Sequence, residues 1–395
     1  MEKTEKNGAE LTAEQPKKIE KKVEYIELFF DLIFVYSFRS INSLFHHVEE
    51  GFPSAALLGS FFFLMMVAVQ VWFFSTMFFN RYGRKSLRDY ISILINMYFL
   101  YYMASDSLLD WTAHYVRYHV AWACIMLNLS YRSLDKLRHG SHIDDVDRHI
   151  LQSNCSAELF QAGLAFVTIP VYQMTGILIS PLVLLFGFAA KWFEYRYYKL
   201  RPVDFPHLSE RVLLLVILTF GEMIIGISAY FDGGEQVLMN VSAFLVVVLM
   251  FLSYGFFYDN ALYHRQKTSG LGYLTRHVFL ICAINTTTIA LELGAREGID
   301  QNSRLIFLIL CMFAYYGFML TLVRYRKKEL ANTRGFVGIT VLMMVIYGIC
   351  MLYAGGTPLF AFLVTVLYCL WNLLLRFRDY HRQTGKKLHF GSYLE

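Results

Sequence analysis

Apolar residues along this chain come in long blocks separated by short polar loops. Twelve blocks lie near 26–46, 54–79, 90–109, 114–133, 156–178, 180–199, 210–231, 238–263, 273–293, 304–324, 334–354 and 357–377. Each approaches the roughly 20 residues that a helix needs to cross a bilayer. The pattern predicts an all-α, polytopic transmembrane helical bundle of about twelve spans. The boundaries are least sharp at the fourth span and around Pro170 and Pro181.

The loops carry the orientation signal. With the N-terminus inside, the inner loops include NRYGRKSLRD, RSLDKLRHGSHIDDVDRH, YRYYKLRP, HRQKTSGLGYLTRH and RYRKKELANTR. The outer loops, VEEGFP, DSLLDWTAH, FDGGEQ, ELGAREGIDQNS and YAGGTP, are mostly acidic or neutral. Lys and Arg thus concentrate on one side, as the positive-inside rule requires of an even number of spans. The expected location is the cytoplasmic membrane, with both termini cytoplasmic. The polar segment 1–22 reads as an inner tail, and the apolar run after it as an uncleaved first span, because no small-residue cleavage site ends it.

The two halves share a phase. Glu27 opens the first span and Glu210 the seventh, and the same offset carries Phe73-Phe74 onto Phe256-Phe257 and Tyr90 onto Tyr273. Two parallel six-helix repeats, 23–201 and 202–378, followed by a cytoplasmic tail over 379–395, are the expectation.

Composition agrees with the membrane reading. Hydrophobic residues make up 56% and charged residues 17% of the 395-residue chain, against about 25% charged in soluble domains. The net charge of +5 is spread over short loops, which argues against nucleic-acid binding. The six cysteines form no C-x-x-C pair and mostly fall in apolar runs; they read as reduced packing residues. The loop HGSHIDDVDRH has metal-like composition without the spacing of a standard site, so it reads as a solvated charged loop. No cofactor or metal is called for.

The first span, VEYIELFFDLIFVYSFRSINSLFHH, holds the unexpected chemistry. On a helix with Glu27 at zero, Asp31 falls near 40°, Asn42 near 60°, His46 near 100° and Arg39 near 120°, at about 100° per residue. Leu28, Phe29, Leu32, Ile33, Tyr36 and Leu44 take the other side. A polar stripe cannot face lipid. It is either a seam locking helices together or the wall of a permeation path.

In the seventh span, HLSERVLLLVILTFGEMIIGIS, Glu222 stands at the position equivalent to Arg39. Both sit about 18 Å beyond their opening glutamates, near the bilayer middle. A lone charge there is expensive and a hydrogen-bonded pair tolerable, so Arg39 and Glu222 are expected to meet across the repeat interface. Gly221 and Gly226 beside Glu222 would let backbones approach closely. A second cluster, Glu27, Asp31, Glu210, Arg211, Asp259, Asn260 and His264, is expected at one depth near the inner face. It could be a cation or proton vestibule or a ring of ion pairs holding helix ends. Asn96, Asn285 and Thr286-Thr287-Thr288 read as interhelical glue, and Asp106 and Glu292 as wet outer-end groups. No nucleophile elbow, zinc-binding helix, P-loop or dinucleotide glycine pattern occurs, which favours a protein that is not an enzyme.

ELFFDLIFVYSF resembles the bacterial low temperature requirement protein A family. HLSERVLLLVILTFGEMIIGI is similar to that family's H-x-x-E-R…GE segment. YDNALYH and GLGYLTRHVFL are also similar to family features, so the resemblance runs from about residue 23 to about 295. It implies a multi-pass membrane protein, and carries the family's positions onto Glu27, Phe29, Phe30, Asp31, His207, Glu210, Arg211, Gly221 and Glu222. Arg39 departs from it, since the family typically has a small apolar residue there. A fainter likeness is to potassium channels whose first helix opens with R-x-x-x-F-S-D; here Phe29-Phe30-Asp31 replaces F-S-D, and Tyr25 the arginine.

The expectation is therefore a membrane protein that moves a small solute or ion. Its path would be lined by Glu27, Asp31, Arg39, Asn42, Glu210, Glu222, Asp259 and His264. Its partners would be membrane lipid and that solute, and a homo-oligomer stays open. A cation channel, an enzyme acting on a lipid or isoprenoid, and a non-transporting accessory protein are the alternatives.

Overall fold

A computed structural model describes residues 22–48, 52–83, 86–104, 111–140, 143–231, 237–296, 298–331, 333–354 and 357–386. Asp106, residues 1–21 of the N-terminal tail and the chain from 387 onward lie outside the described residues. Every one of the twelve expected segments is helical, as α1 (Tyr25–Asn42), α2 (Ala55–Tyr82), α3 (Leu87–Met103), α4 (Trp111–His139), α5 (Asp145–Thr175), α6 (Ser180–Phe193), α8 (Phe205–Gly226), α9 (Val237–Phe256), α10 (Leu271–Gly294), α11 (Gln301–Thr321), α12 (Arg334–Ala354) and α13 (Pro358–Thr384). A short α7 (Tyr195–Leu200) follows α6. Among the described residues, nine helices are long and apolar enough to cross a membrane. The other three expected spans fall short: α3 has 17 residues and α6 has 14, and α4 carries Arg117, Arg132, Asp135, Lys136 and Arg138 along its length.

The helix ends follow local chemistry. Glu24 and Glu27 form a capping box at α1, and Ser54, Ser86, Asp144, Asp204 and Asp300 accept from first-turn amides of α2, α3, α5, α8 and α11. Pro181, Pro206 and Pro358 sit in first turns, where the missing N–H leaves no gap. Pro170, by contrast, lies inside α5, which continues to Thr175 and stops at Gly176 with φ 69. The start of α5 corrects the solvated-loop expectation for HGSHIDDVDRH. Asp144 is its cap, and Asp145 to His149 already belong to the helix.

α10 is the centre of the bundle: 83% of its apolar stretch is buried, against 22% for α12. α1, α2, α8 and α11 pack around it. Several neighbour pairings recur in the two halves. The pairings α1 on α3, α3 on α4, α2 on α6 and α5 on α6 have counterparts in α8 on α10, α10 on α11, α9 on α13 and α12 on α13. The halves join where α1 packs on α8.

Buried polar side chains knit this bundle selectively. Asn128 donates to Asn96 Oδ1 at 2.7 Å between α4 and α3, and Asn42 donates to Asn285 Oδ1 at 3.4 Å between α1 and α10. The threonine run was expected to bridge helices. Thr286, Thr287 and Thr288 bond back to Cys282, Ala283 and Ile284 carbonyls of their own helix, the local option open to Thr in a helix, and Thr286 also meets Cys311 of α11. Gln161 of α5 donates to Gln70 of α2 at 2.8 Å across the face of Gly187. A Cβ at Gly187 would fall 2.3–2.5 Å from those amides.

Gly221 has nothing within 4 Å of such a Cβ, so the close approach expected there is absent. At Gly226 the neighbours are Glu292 Oε1 at 2.6 Å and Thr288 at 2.8 Å. Gly187→Ala should therefore break the buried glutamine pair and destabilise the protein by about 1–3 kcal/mol. Gly221→Ala should be neutral or stabilising by up to about 1 kcal/mol. Thermal unfolding of the two variants in one detergent checks the contrast.

Candidate functional site

Two i, i+4 pairs face each other where the first turns of α1 and α8 meet. Glu27 and Asp31 project from α1, and His207 and Arg211 from α8. Such spacing puts each pair on one helix face. Arg211 Nη2 donates to Asp31 Oδ1 at 2.7 Å and Nη1 to Glu27 Oε1 at 3.4 Å. His207 Nε2 lies 3.1 Å from Glu27 Oε2. All four side chains are buried.

Helix α2 supplies the second layer. Trp72 Nε1 donates to Asp31 Oδ1 at 2.9 Å. Asn80 closes a two-bond ring with the backbone of Asp204: its Oδ1 accepts from the Asp204 amide, and its Nδ2 donates to the Asp204 carbonyl, both at 2.9 Å. The backbone thus fixes which way the Asn80 amide points. Its remaining Nδ2 proton is directed at His207 Nδ1, 3.1 Å away, which makes Nδ1 an acceptor and leaves Nε2–H to donate to Glu27.

Two carboxylates thus face the Arg211 guanidinium and the His207 imidazole. Asp31 Oδ2 has no hydrogen-bond partner among the described residues. A buried polar atom left without a partner is costly.

The expected inner cluster divides across α8. Glu210 is exposed, because one residue before Arg211 is about 100° around the helix. Asp259 is half-buried in the π-helical turn Phe257–Ala261 that ends α9. His264 packs on Ser209, with Nδ1 3.3 Å from the hydroxyl and Nε2 3.1 Å from the Tyr258 carbonyl. Burial holds His264 below the ordinary imidazole range. His264 therefore reaches α8 through Ser209, away from the Glu27 network.

At the far end Arg39 Nη1 lies 3.8 Å from Glu222 Oε2, so the two helices do bring these charges together. The depth differs from the expectation. Arg39 is only seven residues from the His46 end of its span, and its side chain is 51% exposed while that of Glu222 is 4%. The pair therefore lies toward the end of the helix away from the Glu27 network. His46 joins it through Glu292, 3.4 Å away, so Glu292 is part of a cluster and not a solvated end. Leu44, assigned to the apolar outer side of the helix, is buried because the chain tightens to a 3₁₀ turn after Asn42. Phe29 is 49% exposed on the opposite face, and Phe30 is fully buried. Between the two charged clusters Phe30, Phe34 and Phe38 form a buried file, with successive ring centroids 5.1 and 6.4 Å apart.

Four participants escaped sequence reasoning. Trp72 and Asn80 sit in a mostly apolar span, and a Trp away from the interface together with an Asn at the span's end were the available signals. Glu158 and Lys191 form a second buried ion pair at 2.7 Å between α5 and α6. The Lys191 ammonium also donates to Asn154 at 2.6 Å and sits 4.5 Å over the Phe74 ring. The lysine within FGFAAKWF was the signal there.

The family model for the bacterial low temperature requirement A protein (LtrA) matches residues 22–370. The match extends past the residue near 295 where the sequence resemblance stopped, and takes in α11 and α12. No curated protein and no solved structure matches the chain.

The Arg39–Glu222 pair admits a direct test. Arg39→Glu and Glu222→Arg should each destabilise by about 2 kcal/mol, below the 3–5 kcal/mol of a fully buried pair because Arg39 is half exposed. The charge-swapped double variant should recover at least half of that loss in thermal unfolding. Equal damage in all three proteins would dissolve the pair.

Proposed function

The chain belongs to the bacterial low temperature requirement A (LtrA) family of multi-pass membrane proteins, and on that premise we propose that it moves a small solute or ion across the cytoplasmic membrane. The observation that carries this reading is Asp31: a buried carboxylate with one oxygen unpartnered among the described residues, the other held by Arg211 and Trp72. In membrane helices, buried ionisable groups of this kind mark ion and proton pathways. The neighbour pairings that recur in the two halves support a design of two parallel repeats, with α1 and α8 as equivalent first helices meeting at the centre.

The residues suggest a working cycle. A proton or cation arriving at Asp31 competes with Arg211 for the same carboxylate. Weakening that bond loosens α1 from α8, while Trp72 and Asn80 keep Asp31 and His207 tied to α2. The file of Phe30, Phe34 and Phe38 closes the way between the inner network and the Arg39–Glu222–Glu292 group. Opening it requires α1 to shift or rotate, which is what a change in its first-turn bonding would promote. In this scheme Glu27 holds Arg211 and His207 in place, and Asp31 is the group that loads and unloads.

Purified protein in liposomes, with a trapped pH dye and imposed proton, sodium or potassium gradients, tests the proposal. Wild-type protein should carry at least one of these ions. Asp31→Asn retains Oδ1 for Trp72 and Arg211, so it should lower flux by about tenfold or more with little change in thermal unfolding. Wild-type protein inert to all three gradients, or Asp31→Asn with full flux, would overturn it.

A further inference from the structure

A cavity of about 410 Å³ opens between the ends of α2 and α4 and the start of α3, within the roughly 300–1,000 Å³ range of small-molecule sites. The transport reading makes no use of it, although Arg132 on its wall feels the charges of Glu158, Arg211 and Glu27 as well as Asp89. One wall is the first turn of α3, Ser86 to Asp89; the opposite wall is the last two turns of α4, with Arg132, Asp135, Lys136 and His139.

Arg132 is the unusual member. Its side chain is only 3% exposed. The flat face of the guanidinium is held by two rings, with Cζ 4.2 Å from the Phe78 centroid and 3.7 Å from that of Phe79. Stacking of this kind leaves the N–H donors around the edge of the group. Nε, Nη1 and Nη2 all lack a hydrogen-bond partner among the described residues.

The nearest carboxylate is Asp89, whose Oδ1 stays 3.7 Å away, too long for a hydrogen bond. Asp89 is committed elsewhere: its Oδ2 accepts from Ser86 Oγ at 3.0 Å, and its amide donates to the same hydroxyl as part of the α3 cap. The other acid, Asp135, is taken by Arg88 at 2.7 Å and His139 at 3.0 Å. Positive side chains on the wall therefore outnumber negative ones, and the strongest buried donors have no acceptor. The N-terminal end of α3 adds its dipole to the same side.

We propose that this cavity between α3 and α4 is a binding site for a phosphate group, held by the Arg132 guanidinium with Lys136 and the first turn of α3. A planar fork of donors matches phosphate oxygens two at a time. A group with one to two negative charges is what the excess positive wall accommodates. The phosphate can belong to a free anion or to a lipid headgroup, since both present the same oxygens.

Thermal unfolding of the whole protein separates these outcomes. In a nonionic maltoside detergent free of phospholipid, inorganic phosphate should raise the unfolding midpoint saturably, beyond chloride at equal ionic strength. Arg132→Gln should weaken that response about tenfold, the effect of one lost charge-assisted hydrogen bond. Asp89→Asn removes the competing carboxylate while keeping an acceptor for Ser86, and should strengthen it. That gain is a readout that a merely structural role would not give, and it holds even if Arg132→Gln does not fold. If phosphatidylglycerol nanodiscs reproduce the stabilisation and abolish the response to added phosphate, the site takes headgroups; if the response persists there, it takes the free anion. No stabilisation by either source, an unchanged response in folded Arg132→Gln, or no gain in Asp89→Asn would overturn the proposal.

Discussion

Two carboxylates on α1 share one guanidinium on α8, in a place where water does not compete. That interaction decides how the two halves of the chain meet. It demands that the first turns of α1 and α8 be adjacent and level, and it sets the rotation of both helices, because Glu27 with Asp31 and His207 with Arg211 each need a whole turn facing the other. Once α1 is so placed, Phe29 and Leu32 must face outward and Phe30 and Phe34 inward. Burying such a network is not in itself a source of stability, since desolvation offsets much of the attraction. Its contribution is to make one arrangement far better than its alternatives.

The same logic recurs wherever a charge enters the bundle. Lys191 is satisfied by Glu158, Asn154 and an aromatic face, and Arg326 by Asp379 at 2.9 Å. Arg132 has the aromatic faces without the acceptors, and Asp31 has an oxygen without a donor. Arg376 and Glu158 also keep buried atoms without a hydrogen-bond partner among the described residues, but Asp31 sits in the α1–α8 interface and Arg132 on a cavity wall, where a ligand could change the energy. One is an acid in the α1–α8 interface and the other a base between α3 and α4. They would take ligands of opposite sign.

The helical architecture was legible from hydropathy alone, and all twelve segments fall on helices. Part of the site was legible too. The spacing of Glu27 and Asp31 showed a common face, and the offset between the halves paired Arg39 with Glu222. What failed was depth and partnership. Counting residues from Glu27 put Arg39 at the midplane, but the span ends seven residues later, so the charge sits toward its far end. Glu210 matched Glu27 by offset yet faces outward, because its neighbour Arg211 took the inner position. Trp72 and Asn80 were hidden because each offers only a few polar atoms in an apolar helix, and no periodicity marks them.

The pairing of Asp31 with Arg211 is measured most directly by a double-mutant cycle on unfolding free energy, using Asp31→Asn, Arg211→Met and the double variant. Arg211→Met alone leaves two buried carboxylates without their cation, and Asp31→Asn removes one of them. The coupling energy should be about 2 kcal/mol, with the double variant less damaged than the two single effects predict together. Effects that simply add would mean that the two groups do not meet, and the account of how α1 and α8 are joined would fail with them.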